Sequence, residues 1–160
     1  MLREWEDGDL PAMVGLFDDL DVAHRTPLAS PFDLDVAKAY LEKARRTSML
    51  GERIQLAITT DGVTPLGEVL LSQPYSSIGY AVGAAYRGQG LAARAVRLMT
   101  DYAHRVARIK RVVLQIEADN LASVGVARAT GYQLTDLAPS PVSNKGRSYT
   151  LMTWEHVSSG

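Results

Sequence analysis

The sequence predicts a mixed α/β (α+β) fold built on one mostly antiparallel sheet. Three observations predict it. Apolar residues alternate with period two in residues 54–58, 65–71 and 77–82, the pattern of a β-meander. Residues 90–108 then follow a helical period of 3.6 with one apolar stripe. Residues 111–117 return to period two, which makes 77–117 a strand–helix–strand unit and calls for a right-handed parallel crossover.

The elements follow in order. Residues 2–5 read as a short first strand. Asp9-Leu10-Pro11 opens a helix with proline in the first turn, and Met13, Leu16, Phe17 and Leu20 continue at helical spacing. Residues 26–31 form a loop holding Pro27 and Pro31. A second helix covers 34–46, with Val36, Ala37, Tyr40 and Leu41 on one face. Ile54, Leu56 and Ile58 alternate with Gln55, Ala57 and Thr59, and Asp61-Gly62 marks a turn. In 90–108 the stripe is Ala92, Ala95, Val96, Met99, Tyr102, Ala103 and Val106, opposite Arg94, Arg97, Asp101, Arg105 and Arg108. Val112, Leu114 and Ile116 share one side of the next strand. A short helix over 122–130 ends at Gly131, a residue suited to the left-handed position after a helix. Strands at 132–137 and 147–157 close the chain. Residues 138–146 between them read as a mobile loop, and 158–160 as a frayed tail after a single domain over 1–157.

At 160 residues, with 46% hydrophobic and 22% charged residues, the chain can bury a core without staples. It has no cysteine, which excludes disulfides, thiolate metal sites and a cysteine nucleophile. His24, His104 and His156 share no ligand spacing, so no metal site is expected. The net charge of −1 offers no global field for nucleic acid. No apolar run reaches membrane-span length, and the first residues lack the features of a signal peptide. The expectation is a cytoplasmic protein with no membrane and no direct nucleic-acid partner. A homodimer is left open.

Charge is unevenly spread. Residues 1–35 hold nine acids against Arg3 and Arg25, a balance of −7, while residues 87–111 hold seven bases against Asp101, a balance of +6. Ligands of opposite charge at the two regions would use this asymmetry. Solvated helix faces would produce it equally.

The segment with most chemistry is 78–92. A strand runs into Arg87-Gly88-Gln89-Gly90, and a helix starts at once. The first amides of a helix lack internal partners and sit at its positive dipole end. Gly88 and Gly90 allow an anion close to the backbone, and Arg87 adds a cation at the mouth. The bend is suited to a pyrophosphate. No Gly-x-x-x-x-Gly-Lys-Ser/Thr is present, so a P-loop is excluded. Gly88-x-Gly90-x-x-Ala93 satisfies the dinucleotide fingerprint formally, but a meander precedes it and too little chain follows for the usual second half.

Arg87-Gly88-Gln89-Gly90-Leu91-Ala92 resembles the Gln/Arg-x-x-Gly-x-Gly/Ala signature of the GNAT N-acetyltransferases. Asn120-x-x-Ser123 followed by Gly131-Tyr132 is similar to that superfamily's next motif. Ile78-Gly79-Tyr80 and the 26–32 loop resemble the Rim-type branch, which acetylates ribosomal-protein N-termini. The resemblance implies a GNAT fold, with helices on both faces of the sheet and a central parallel strand pair that splays to admit acetyl-CoA. It implies a cosubstrate site at Val82, Gly83, Arg87, Gly88, Gln89, Gly90, Leu91, Ala92 and Asn120. The amide of Val82 or Gly83 would serve as oxyanion donor, worth about 3 kcal/mol. Asn120 would bond the pantetheine arm, cap the following helix, or both.

The implied chemistry is direct attack of a neutral amine on a thioester. An α-amine with pKa about 8 needs little help, whereas a lysine near about 10.4 needs a base. Some N-terminal acetyltransferases carry a glutamate five residues before the motif asparagine and a tyrosine seven after it; here Gln115 and Ala127 stand there and cannot fill those roles. Ser123 matches the serine assigned as acid in another Rim-type subset. Glu117 and Glu68 are the nearest strand carboxylates and are candidates to relay a proton through water, or else solvated strand residues. Tyr80 is a further candidate. The acceptor side falls to the first two helices and their loop, where the −7 balance fits a cationic amine. The expected acceptor is a protein N-terminus. A polyamine or antibiotic, or a silent acyl-CoA-binding domain, are the alternatives.

Overall fold

The computed structural model describes residues 1–160. In chain order the elements are β1 (Leu2–Glu4), α1 (Leu10–Phe17), α2 (Leu20–Arg25), α3 (Leu34–Met49), β2 (Arg53–Ile58), β3 (Gly67–Ser72), β4 (Ser77–Val82), α4 (Leu91–Arg105), β5 (Arg111–Ile116), α5 (Leu121–Ala129), β6 (Gln133–Leu134), β7 (Ser140–Asn144) and β8 (Arg147–Val157). The sheet runs β1-β2-β3-β4-β5-β8-β6, and β7 pairs with β8. Every pairing is antiparallel except β4 with β5. No helix is long and apolar enough to cross a membrane.

Alternation along the strands sends side chains to two cores. On one face Val69, Leu71, Ile78, Val112, Leu114 and Ile116 pack against Ala95, Val96, Met99 and Ala103 of α4 and Ala127 of α5. On the other, Ala57 and Ala81 meet α1 and α3 through Met13, Phe17, Ala37 and Leu41. Trp5, Phe17, Phe32 and Tyr40 form an edge-to-face aromatic group there, with ring centroids 5.4 to 6.2 Å apart. This is the favoured geometry for ring quadrupoles.

Three local expectations change. The first helix is two helices. Asp19 caps α2 by accepting from the amides of Asp21 and Val22, so the chain turns there and leaves Leu20 88% exposed instead of on the buried stripe. The α4 stripe stops short: the helix ends at Arg105, and Tyr102 and Val106 are exposed. Residues 138–146 are no loose loop. Lys145 and Gly146 both have positive φ (51° and 74°), and Asn144 pairs with Arg147 across a two-residue turn, which matches the twist of a hairpin. Proline and serine obscured the β7 alternation.

The β3–β4 contact sets the position of the site. The Gly83 amide donates to the Leu66 carbonyl (2.9 Å), which makes that pair hydrogen-bonded. The adjacent Gly67–Val82 pair is therefore the close, non-bonded kind, and the Val82 amide faces the opposite edge, toward β5. A methyl group at Gly67 would stand 2.5 Å from the Ala81 carbonyl oxygen and 2.9 Å from the Val82 Cα. Gly67→Ala is expected to destabilise the protein by about 1–3 kcal/mol, read as a lower urea midpoint at unchanged slope.

Candidate active site

β4 and β5 touch at one point. Ser77 is registered with Val113, and the Val113 amide donates to the Ser76 carbonyl (2.9 Å). Beyond that bridge the strands part. A cavity of about 910 Å³ lies along the opening, lined by β4 from Ser77 to Ala81 and by Leu114, Gln115, Ile116 and Glu117. The 26–29 loop, one stripe of α3 and the β7–β8 hairpin complete its walls.

The glycine bend sits at the end of β4, outside the walls of that cavity. Gly88 and Gly90 have φ of +79° and +73°, and a Cβ at either would meet nothing within 4 Å. Their need for glycine is conformational, and the space before them is open. The amides of Gly88, Gln89, Gly90, Leu91, Ala92 and Ala93 donate to no group of the chain. Consecutive free amides at the start of a 15-residue helix fit a diphosphate. Arg87 is not a free cation. It donates to the Val82 carbonyl (3.3 Å) and pairs with Asp21 (3.1 Å) and Asp19 (3.7 Å). Of the two suggested oxyanion donors, Gly83 is engaged by Leu66, which leaves the Val82 amide aimed at the gap.

Asn120 lines the cavity and caps α5, its side chain accepting a long bond (3.4 Å) from the Ser123 amide. Tyr80 and Ser123 also line the cavity, on the α4–α5 face, and the Tyr80 hydroxyl donates to Ser123 Oγ at 2.8 Å. The hydroxyl proton of Ser123 is thereby free to point elsewhere. Burial raises the Tyr80 phenol, and its bond to Ser123 offsets part of this. Gln115 is on the cavity wall, whereas Ala127 is fully buried against the sheet and takes no part.

The two carboxylates part company. Glu117 accepts two bonds from Arg147 (2.7 and 3.0 Å) and lies 3.4 Å from Arg25. The bonded Arg147 holds its carboxyl below the usual range, so it stays ionised and is a poor base. Glu68 is 3% exposed and accepts from Trp5 Nε1 (2.9 Å) and the Tyr40 hydroxyl; Gln55 donates to Tyr40 in turn (3.0 Å). Burial pushes the Glu68 carboxyl up to about 7, against the bonds from Tyr40, Trp5 and Gln55 and the charge of Arg53. The same burial raises the Tyr40 phenol. Neither carboxylate is a solvated strand residue. The partners that hold them, Tyr40 and Trp5 for Glu68 and Arg147 and Arg25 for Glu117, lie far away in sequence and carry no motif.

The acids of residues 1–35 do not form an acceptor surface: none lines the cavity. Asp19 and Asp33 are helix caps, Asp9 pairs with Arg3, Asp7 with Arg45, Asp21 with Arg87, and Asp18 accepts from the Phe32 amide. The cavity carries Arg25, Lys43 and Arg53 instead, and of these sequence reading did not single out Lys43 and Arg53.

The raised Glu68 carboxyl has a stability signature. Between about pH 4.5 and about 7 the folded protein keeps a proton that the unfolded chain gives up. Stability from this group is therefore fully present below that window and lost as pH rises through it. Thermal melting is expected to fall from pH 5 to 7.5, and Glu68→Gln to flatten that slope.

A GNAT acetyltransferase domain family matches residues 1–133. No curated protein sequence matches. Among solved structures, RimJ from Mycobacterium smegmatis, in complex with CoA-disulfide, superposes with a TM-score of 0.84 at 18% identity, over 98% of this chain and 80% of that one. The ribosomal-protein-S5-alanine acetyltransferase from Vibrio fischeri gives 0.82 at 18%, over 98% and 91%. The spermidine N-acetyltransferase from Vibrio cholerae, in complex with CoA and spermine, gives 0.80 at 15%, over 98% and 94%. At these identities the likeness is one of fold. With the family match over most of its length, a splayed β4–β5 pair and a helix start of free amides, the chain belongs to the GNAT acetyltransferases, with acetyl-CoA as cosubstrate.

Proposed function

We propose that the protein acetylates a primary amine, a protein N-terminal α-amine in the first instance, by direct attack of the neutral amine on the thioester. The observation that supports this reading is the opening between β4 and β5, with the free amides at 88–93 beyond the end of β4 and a cavity walled by proton-handling side chains along it. Acetyl-CoA supplies an activated acyl group. What the chain supplies is position, hydrogen bonds and proton sites.

The amides at 88–93 would hold the diphosphate, and Asn120 would steady the pantetheine arm. The Val82 amide faces the gap and would bond the developing oxyanion. Ser123, whose own proton is free, would donate to the departing sulfur, with Tyr80 orienting it. A thiol pKa near about 8.5 makes this help modest. Glu68 would take the amine's proton, directly or through water. Its raised pKa suits a base working near neutrality. Glu117 would be a structural anion, fastening the hairpin and the end of α2 to the end of β5. Tyr80–Ser123 and Glu68 lie on opposite faces of the sheet, so acid and base are served from two sides of one gap.

An α-amine needs less base strength than a lysine, and a single buried carboxyl with no chain of acids suits it. The N-terminal acids, being caps and ion pairs, no longer support a cationic acceptor of either kind, peptide N-terminus or polyamine.

Calorimetry is expected to show acetyl-CoA binding that weakens at least tenfold in Gly90→Val, because a β-branched residue at φ +73° is strained and its side chain enters the anion's path. No acetyl-CoA binding by the folded wild type would sink the reading. Ser123→Ala is expected to bind acetyl-CoA as the wild type does and to lower kcat by about tenfold, below the usual span of general-acid effects because the thiolate leaves readily unaided, measured as thiol release with peptide amines.

A further inference from the structure

The charges on the cavity wall sort into pairs and remainders. Arg25 pairs with Asp119 (2.8 Å) and Glu117, and Glu117 is also held by Arg147. Glu68 is held by the neutral donors Trp5 and Tyr40. Lys43 and Arg53 remain. Both line the cavity, and neither forms an ion pair with any carboxylate of the chain. Neither side chain is buried, and the charge of Arg53 acts on Glu68 only from a distance, without a direct contact.

Register and helical spacing explain why both cations border the same cavity. Val36, Ala39, Tyr40 and Lys43 form the α3 stripe that faces the cavity. Arg53 is opposite Ser72, Gln55 opposite Leu70, and Ala57 opposite Glu68, all on the α3 face of the sheet. Arg53 and Glu68 thus stand two rows apart along this face. That is about 13 Å between backbones, and the long Arg53 side chain shortens the gap considerably. The Glu68 end adjoins the open end of the β4–β5 gap, through its partner Ala81; the Arg53 end adjoins the bridge at Ser77.

We propose that Lys43 and Arg53 form a subsite for a carboxylate borne by the acceptor, so that the preferred substrates are amines carrying a carboxylate a few bonds from the nitrogen. The inference rests on the acetyl-transfer reading and names the substrate class for that site. The amine lies toward Glu68 and the gap, and the carboxylate lies toward the two cations. A molecule with both charges complements every unpaired charge on the wall. A polyamine brings only charge of the sign already present there in excess. Two sources offer this chemistry: a protein N-terminus followed by acidic residues, and a free acidic amino acid.

The test measures kcat/KM by thiol release for a peptide beginning Ser-Asp-Asp, its Ser-Asn-Asn and Ser-Lys-Lys counterparts, free L-glutamate, and spermidine. The expected result is an acidic acceptor at least tenfold ahead of the asparagine peptide, and further ahead of the lysine peptide and spermidine. The peptide leading identifies a protein N-terminus, and glutamate leading identifies a small molecule; either supports the subsite. Lys43→Glu and Arg53→Glu are each expected to reverse the order of the acidic and lysine peptides, with acetyl-CoA affinity retained as the check on folding. Arg53→Gln, which keeps a polar side chain, is expected to shrink the preference and serves if the reversed variant does not fold. Acetylation with no preference by charge, a lead for the lysine peptide or spermidine, or an order unmoved by the variants overturns the subsite alone. Acetyl-CoA binding without turnover of any amine overturns the acetyl-transfer reading and the subsite with it.

Discussion

The site depends on two strands that stop pairing. A parallel pair normally continues its slanted hydrogen bonds along its length, and each buried backbone group left unpaired is costly. Here β4 and β5 share one bridge and then separate, so the groups along their inner edges face a cavity instead of each other. The remaining neighbours hold the two strands apart. β4 is fixed in full register to β3, and β5 in full register to β8. The opening is therefore a rigid feature of the sheet. A ligand backbone with amide groups of its own, such as pantetheine, can take the place that the missing strand partner would have filled.

The two faces of the sheet give the gap its chemical polarity. On the α3 face the aromatic group that fills the second core also carries the donors that hold Glu68. Packing and acid–base chemistry are thus one problem: the ring of Tyr40 packs on Phe17 and Phe32 while its hydroxyl reaches the carboxylate. A carboxyl buried among rings and neutral donors keeps its proton longer than one in water. Glu117, held by arginines, behaves in the opposite way. Glu68 on β3 and Glu117 just past the end of β5, with β4 between them, acquire different character from their surroundings alone.

How much of this was legible follows from the range of each interaction. The glycine bend was legible because its signal is local: the positive φ of Gly88 and Gly90 and the adjacent helix start lie within a few residues. The meander and the α4 crossover were legible from their periods, and Asn120 and Ser123 from a motif four residues long. Glu68 could be named as a strand carboxylate, but its character comes from Trp5 and Tyr40, 63 and 28 residues away in sequence. The β7–β8 hairpin was missed because Ser140, Pro141 and Ser143 dilute the alternation, while the evidence for it lies in pairing with Arg147–Leu151. The charge balance of residues 1–35 misled for a related reason. Composition counts charges without showing that most of these acids serve a cap or a nearby arginine.

Those acids matter to the site indirectly, through α2. This six-residue helix is too short to be stable alone and is held at one end by the glycine bend and at the other by the β7–β8 hairpin. At its start, Asp19 and Asp21 meet Arg87 of the glycine bend. At its end, Lys145 donates to the carbonyls of Ala23 and Thr26, and Arg147 to that of His24, where the helix dipole favours cations. Arg25 ties the same turn to Glu117 and Asp119 beyond β5. The helix therefore links the glycine bend, the far end of β5 and the β7–β8 hairpin. The opposed charges of residues 1–35 and 87–111 meet at its first turn, so the asymmetry read from the sequence is in part an internal fastening between the glycine bend and the wall of the cavity.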